Sequence, residues 1–528
     1  MRIISGPFIR LMRVILAMGG GLALLLACGG GGGGSTQPLP SATAPKLVSS
    51  TYLCPEDTPS FNLIVIGANF SKNSVVLVNG KERATTYLGM DRLSVLIDRL
   101  DVVGTCQVRN PPPGNEVSGI ATILSAPLNA KAAHPIMSPT RVTQGSGDFG
   151  LGFWGIPIDK DSVILWNGRV MPTTVDLTTG YAHATIPASD VTLPGYGVAA
   201  LYNSGTALAG CTPAQVVNIT FDQQVSGMVE SPGGGQLLCV VPASSPTFAS
   251  NLLSIDPGTG AMASLKVLAG DPSLILNSGD KQTFYVGSNS TSLVERYAWP
   301  SLTLNQEFNV NLGHPIQMLE LPGSPGSLLI NQWGGPFGPA GLVIYDNGIP
   351  RAKQSAIYGF GNCLAVNADA TRAYGYENGL SSQEFVAYSI DGTGLAELSR
   401  TGNLITGNAD IAYAGGSIYS SYGAVIDPAT TSVQSPGPLA PSDSKLLIDV
   451  TNDRMYFFGS MDYQTKIILI YRLSTLEQIG SLPVHGMTGL PGTLVRWGKN
   501  GLAATSKPGS GTGSPIYLFQ CDYVAPSH

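Results

Sequence analysis

From about Gly234 to the C-terminus the apolar positions fall into pairs of short runs. Each pair follows a turn rich in Gly, Asp and Asn, and the unit returns about every 45 residues. The turn with its first run reads SPGGGQLLCVV from Ser231, NSGDKQTFYVG from Asn277, GSPGSLLIN from Gly323 and NADATRAYGY from Asn367. It continues as AGGSIYSSY from Ala414, TNDRMYFFG from Thr451 and GKNGLAATS from Gly498. The second runs follow near Leu252, Val294, Gly341, Phe385, Gly423, Ile467 and Pro515. Short strands at this period mark the blades of a β-propeller, each a four-stranded sheet, so seven copies predict seven blades. After PIYLFQCDYV only residues 525–528 remain, too few for the last outer strand. The segment QVVNITF, residues 215–221, is apolar and β-branched and has no blade of its own. It is expected to supply that strand and close the ring, removing an exposed edge.

Residues 46–214 carry a different repeat. NSVVLVNGKERATTY from Asn73 matches DSVILWNGRVMPTTV from Asp161 at a constant offset of 88, each with an Asn-Gly pair at its centre. Asn-Gly between alternating apolar residues is the strongest short-range hairpin signal. The order of an apolar strand ending in Gly67-Ala68-Asn69-Phe70, then Val76-Leu77-Val78-Asn79-Gly80, then Thr85-Thr86, then Val108-Arg109-Asn110-Pro111 resembles the IPT/TIG family of immunoglobulin-like sandwiches. The second copy departs from it, with GFWGIPI from Gly152 and Tyr202-Asn203-Ser204 at the matching places. The resemblance implies two sandwiches, over 46–128 and 129–214, acting as spacers or binding modules. The later region, 215–528, is similar to seven-bladed YVTN and NHL repeats. Gly270-Asp271-Pro272 and Gly313-His314-Pro315 match the Gly-x-Pro before an inner strand, and Ile255-Asp256-Pro257 and Ile426-Asp427-Pro428 match a third strand.

Composition agrees with an all-β chain. Of 528 residues, 66 are Gly and 38 Pro, and 12% are charged, with a formal charge of -6; this fits many turns between short strands. Nothing resembles a basic stripe with interleaved aromatics, so nucleic acid is not an expected partner.

The N-terminus changes the picture most. Arg2, Arg10 and Arg13 precede an apolar run from Val14 to Leu26, and Leu25-Leu26-Ala27-Cys28 leads into six glycines. This resembles a bacterial lipoprotein signal over 1–27, with Cys28 as the lipidated first residue. The run is short and broken by Gly19 to Gly21, unlike a membrane span. By the same resemblance Gly29, in place of Asp, implies outer-membrane sorting. Residues 28–45 then form a flexible tether, and the expected membrane contact is through lipid alone.

Six cysteines remain, in an oxidising compartment if the chain is exported. Cys54 and Cys106 are expected to pair within the first sandwich. Cys211, Cys239, Cys363 and Cys521 allow three pairings, with Cys239 and Cys521 in blades that the ring makes neighbours.

Chemistry is sparse. There is no His-Glu-x-x-His, no phosphate loop, no Gly-x-Ser-x-Gly, no Cys-x-x-Cys and only five histidines, so no metal or cofactor is expected. The connections into the inner strands place Asp271, His314, Asn362, Asn408, Asp410 and His485 on one face around the central channel, where a ligand would bind; capping of strand starts and turn backbones is the stronger reading of the Asn and Asp residues, which leaves His314 and His485 as the two to keep. Trp154, Trp166, Tyr181 and Tyr202 offer a sugar-stacking platform if exposed, but the alternating positions of Ile164 and Trp166 point to one buried face, with most of these rings in the core. The favoured expectation is a non-catalytic outer-membrane lipoprotein that presents a glycan or protein ligand to its propeller or sandwich surface. The alternative is an exported propeller lyase or hydrolase with its site in the central funnel.

Overall fold

The computed structural model describes residues 44–52, 60–90, 92–98, 105–111, 116–122, 124–125, 136–156, 158–167, 169–203, 210–211, 215–334, 338–355, 363–377, 383–405, 407, 409–434, 437–461, 466–507, 515–520 and 524. The leader, Cys28 and the tether to residue 43 lie outside these residues, as do Cys54, Asn362, Asn408 and Cys521. Among the described residues no helix is long and apolar enough to cross a membrane.

Six four-stranded antiparallel sheets succeed one another from Gly227 to Val484, and Pro491–Trp497, Gly501–Ser506 and Pro515–Gln520 make a seventh with the earlier strand Gln215–Asp222. Their innermost strands are Gly227–Glu230, Pro272–Asn277, His314–Glu320, Cys363–Val366, Ile411–Ala414, Ser442–Asp449 and Pro491–Trp497. Each contacts the next, and Pro491–Trp497 contacts Gly227–Glu230, so the ring closes on itself. This is a β-propeller, and the expected turns and paired runs are the first turn and the second and third strands of each blade. The burial explains their composition. Leu237–Val240, Thr283–Ser288, Arg454–Ser460 and Gly501–Ser506 are buried along their whole length, because neighbouring blades cover both faces of each sheet, and a strand covered on both faces does not alternate. Outer strands such as Met262–Val267 and Ser432–Gln434 are largely exposed.

Blade 7 closes as expected, with an addition. Phe221 and Asp222 of strand Gln215–Asp222 pair with Ile516 and Pro515. The earlier part of the same strand pairs antiparallel with Gly195–Asn203, Gly195 opposite Ile219 and Ala199 opposite Gln215, and Arg141–Thr143 lies parallel to Asn218–Thr220. One nine-stranded sheet therefore runs from the preceding module into the last blade. The expected division at 214/215 falls just before a strand that both sides share. Gln144 adds a second tie: its Nε2 donates to the carbonyls of Thr192 in the module, at 2.9 Å, and Thr259 in blade 1, at 2.6 Å.

The region before the ring contains two two-sheet modules. In the first, Ser60–Ala68 and Arg92–Asp98 face Val75–Val78 and Thr105–Arg109 across a core of Leu63, Val65, Val95, Val76, Val78 and Val108. In the second, Phe149–Trp154 and Tyr181–Ile186 face Val163–Trp166 and Gly195–Asn203. The 88-residue offset extends to side-chain bonds. Val76 N–H donates to Thr85 Oγ1 at 2.9 Å and Ile164 N–H to Thr173 Oγ1 at 2.8 Å; Ser71 N–H donates to Ser74 Oγ at 2.7 Å and Asp159 N–H to Ser162 Oγ at 2.9 Å. Asn79 and Asn167 hold positive φ, 51° and 48°, as the Asn-Gly turn requires. Ile164 and Trp166 face the core of their module as expected, but Leu165 between them is equally buried, because it packs into the core of the first module.

Cys106, Cys239 and Cys363 are buried, and none of the three is in a disulfide. The expected partners Cys54 and Cys521 lie outside the described residues, as does the side chain of Cys211. Burial pushes the Cys106 thiol up to about 12.

Candidate functional site

The upper face of the ring, where inner strands begin, holds the four described residues of the expected funnel. Asp271 precedes the inner strand of blade 2, and its Oδ1 accepts from Ala243 N–H of blade 1 at 2.6 Å. Its own N–H donates to Ser290 Oγ at 2.9 Å and to Ser288 Oγ at 3.2 Å. It caps a strand start and ties two blades, as a short acidic side chain in a turn does. Asp410, ahead of the inner strand of blade 5, accepts from Lys445 Nζ of blade 6 at 2.8 Å. Cys363 Sγ of blade 4 donates to the Ala409 carbonyl at 2.7 Å and lies 3.7 Å from Asp410 Oδ1. Burial, and then the charge of Asp410, raise this thiol well above its ordinary value. It is a poor nucleophile as it stands, since the thiolate is the reactive form.

The two histidines are not equivalent. His314 is the first residue of an inner strand, and burial lowers its pKa. His485 follows the outer strand Gln478–Val484 and meets the seam with the second module: its N–H donates to Asn218 Oδ1 at 2.7 Å and its carbonyl accepts from Tyr517 OH at 3.0 Å. Burial lowers its pKa also. Among the described residues no group of three His, Cys, Asp or Glu side chains is placed to hold a metal ion.

The second module presents a different kind of surface. Along Tyr181–Ile186 the residues alternate, Ala182, Ala184 and Ile186 buried and Tyr181, His183 and Thr185 turned outward. On the neighbouring strand Leu151 and Phe153 point to the core, while Gly150, Gly152 and Trp154 take the outward positions. The register puts Gly152 opposite His183. A Cβ on Gly152 would lie 2.2 Å from Tyr181 Oη, so the phenol ring lies over this glycine and only Gly leaves room for it. The rings of Trp154 and Tyr181 are 6.0 Å apart and tilted; those of Tyr181 and His183 are 5.5 Å apart and stacked at 21°. Half-buried aromatics thus form a contiguous outward strip. Trp166 is not part of it, being fully buried in the core, and the side chain of Tyr202 lies outside the described residues. His183 was not anticipated. The signal was present in Tyr181-Ala182-His183 and Gly150-Leu151-Gly152, where rings and glycines share one parity.

No family model and no curated protein matches the chain. Among solved structures, it is similar to hydrazine synthase from Kuenenia stuttgartiensis, at 14% identity and a TM-score of 0.42, over 57% of this chain and 96% of that one. It is similar to a chain of the mitotic checkpoint complex, at 11% identity and a TM-score of 0.43, over 57% and 90%. It is also similar to the β-propeller domain of Cps50 (Swd1) from Myceliophteria thermophila, at 9% identity and a TM-score of 0.41, over 57% and 97%. At such identities and scores nothing about function passes from those proteins to this chain.

Proposed function

We propose that the chain is a non-catalytic binding scaffold of the bacterial cell envelope, tethered through a lipid on Cys28, and that it holds a glycan on the outward face of its second module. The single observation that carries the ligand class is the Trp154, Tyr181 and His183 strip. Flat rings with a negative face attract the C–H faces of sugar rings, and rigid aromatics contribute contact area at little cost in conformational freedom. The repeated hairpin and its conserved hydrogen bonds support reading both modules as immunoglobulin-like spacers of the IPT/TIG kind. The envelope address rests on the Leu25-Leu26-Ala27-Cys28 motif. The rival reading, a lyase or hydrolase at the funnel, has less support, because Asp271 and Asp410 are engaged between blades.

The test is a thermal-shift panel of oligosaccharides against the soluble protein beginning at Ser35. A ligand at a hundred times its Kd stabilises by about 2.7 kcal/mol. A shift that disappears in Tyr181→Ala and in Trp154→Ala is expected. A shift that survives both changes would move the glycan off the strip, and no shift with any sugar would remove the glycan and leave a protein partner as the ligand. For the anchor, Cys28→Ala is expected to free the protein from washed membranes; retention there would contradict lipidation.

A further inference from the structure

Blade 5 is cut short. Its third and outer strands, Val425–Asp427 and Ser432–Gln434, are three residues each, while the corresponding strands of blade 4, Glu384–Asp391 and Gly394–Gly402, run to eight and nine. So small a sheet leaves part of its neighbour uncovered, and Leu398 on the long outer strand is 53% exposed. A cleft of about 440 Å³ lies in the gap. The register sets its blade 4 wall: Tyr374 stands opposite Ala387 and Ala387 opposite Ser399, so the three share one face, with Arg372 two residues before Tyr374 on the same parity. The other wall is the turn between the two short strands, with Pro428 and Thr431. Tyr374 stacks on Phe385 and on Tyr413, with centroids 5.9 and 6.2 Å apart, which makes the floor rigid.

Among the described residues Arg372 is the only charged side chain that lines this cleft, and it is exposed there. Its Nη1 donates to the Thr371 carbonyl at 3.1 Å, which leaves the fork of Nε–H and Nη2–H without an acceptor among the described residues. The acids beside the cleft are turned into their own turns. Asp369 Oδ1 accepts from Thr371 Oγ1 at 2.7 Å, and Asp427 Oδ1 accepts from Ala429 N–H at 2.8 Å. Two other arginines show what such a fork takes. Arg351 places Nε and Nη2 on the two oxygens of Asp346 at 2.7 and 2.9 Å, and Arg400 places the same atoms on those of Glu397 at 3.1 and 2.9 Å. A guanidinium matches a carboxylate in this bidentate way, with one charge against one.

We infer that the cleft between blades 4 and 5 binds a small organic carboxylate, held by the Arg372 fork, with its apolar body laid on Leu398 and Pro428. The volume is that of a small-molecule site, and the hydroxyls of Ser399 and Thr431 add polar contacts at its edges. This site is separate from the aromatic strip and does not depend on it.

A ligand-observed NMR titration of the intact protein with phenylacetate tests this, with phenylacetamide and inorganic phosphate as comparisons. Saturable binding of phenylacetate is expected, the amide and phosphate each being at least about fivefold weaker. Arg372→Gln removes the charge at an exposed position and should weaken phenylacetate roughly five- to tenfold. Arg372→Lys keeps the charge without the fork and should restore only part of the loss. Leu398→Asp, at an exposed position, adds a carboxylate to the cleft and should abolish binding. Lys160→Gln, on the second module and with a side chain 79% exposed, should change nothing. The site would be overturned by no saturable binding, by binding unchanged in Arg372→Gln or Leu398→Asp, or by an equal loss in Lys160→Gln. Full recovery in Arg372→Lys would overturn the fork, and an amide or phosphate bound as tightly as phenylacetate would overturn the ligand class.

Discussion

Glu320 shows how single residues hold the ring together. It ends the inner strand of blade 3 and accepts from Ser278 Oγ at 2.8 Å and from Gly279 N–H, both in the first turn of blade 2, and from Gly326 N–H at 3.1 Å in its own turn. Glu230 of blade 1 does the same to blade 7, accepting from Gly498 N–H at 2.7 Å. Arg496 of blade 7 reaches back to Asp449 of blade 6 at 2.9 Å. At three seams the last residues of an inner strand therefore latch onto the preceding blade. Removing an acceptor that serves buried and half-buried donors costs about 2–3 kcal/mol, so Glu320→Ala should lower unfolding free energy by roughly that amount. Urea titration measures it, with exposed Glu477→Ala as the control, expected within about 0.5 kcal/mol of wild type. Equal losses in both would remove the latch. None of these latches was legible in the sequence, because acidic and amide residues near turns look alike whether they cap their own turn or a neighbour's. The converse applies to Asp271 and Asp410, read as funnel candidates and found tied between blades.

At the scale of elements the strand pattern was far more legible. Every expected turn and both apolar runs of all seven copies stand where blades have them, since a sheet covered on both faces writes continuous apolar runs into its second and third strands. The Asn-Gly hairpins were equally plain, for their turn type demands positive φ at defined positions. The alternation on the second module showed Trp166 as core but concealed Leu165, whose burial depends on a neighbouring module and on no local signal. The closing strand was legible because residues 215–221 lacked a blade and the last blade lacked a strand. Its second partnership was not, because pairing with Gly195–Asn203 leaves no mark that pairing with blade 7 would not also leave.

That shared strand sets the behaviour of the whole molecule. Val216, Val217, Ile219 and Phe221 are all buried, two of them in the core of the module and Phe221 in the cluster between blades 7 and 1. At about 1.5–3 kcal/mol for each buried side chain, the strand contributes on the order of 6–12 kcal/mol. That is comparable to the net stability of a whole domain, about 5–15 kcal/mol, so neither the module nor the ring can lose it and remain folded. The modules and the ring are then expected to behave as one cooperative body, with the aromatic strip held at a fixed position on it. The most direct measurement is equilibrium unfolding in urea followed by two signals: a fluorophore on an exposed module residue, Thr174, and another on an exposed blade residue, Ser432. Coincident midpoints and slopes are predicted, with both transitions lost together when residues 215–222 are deleted. Separate midpoints, or a ring that still unfolds cooperatively without the strand, would contradict the account.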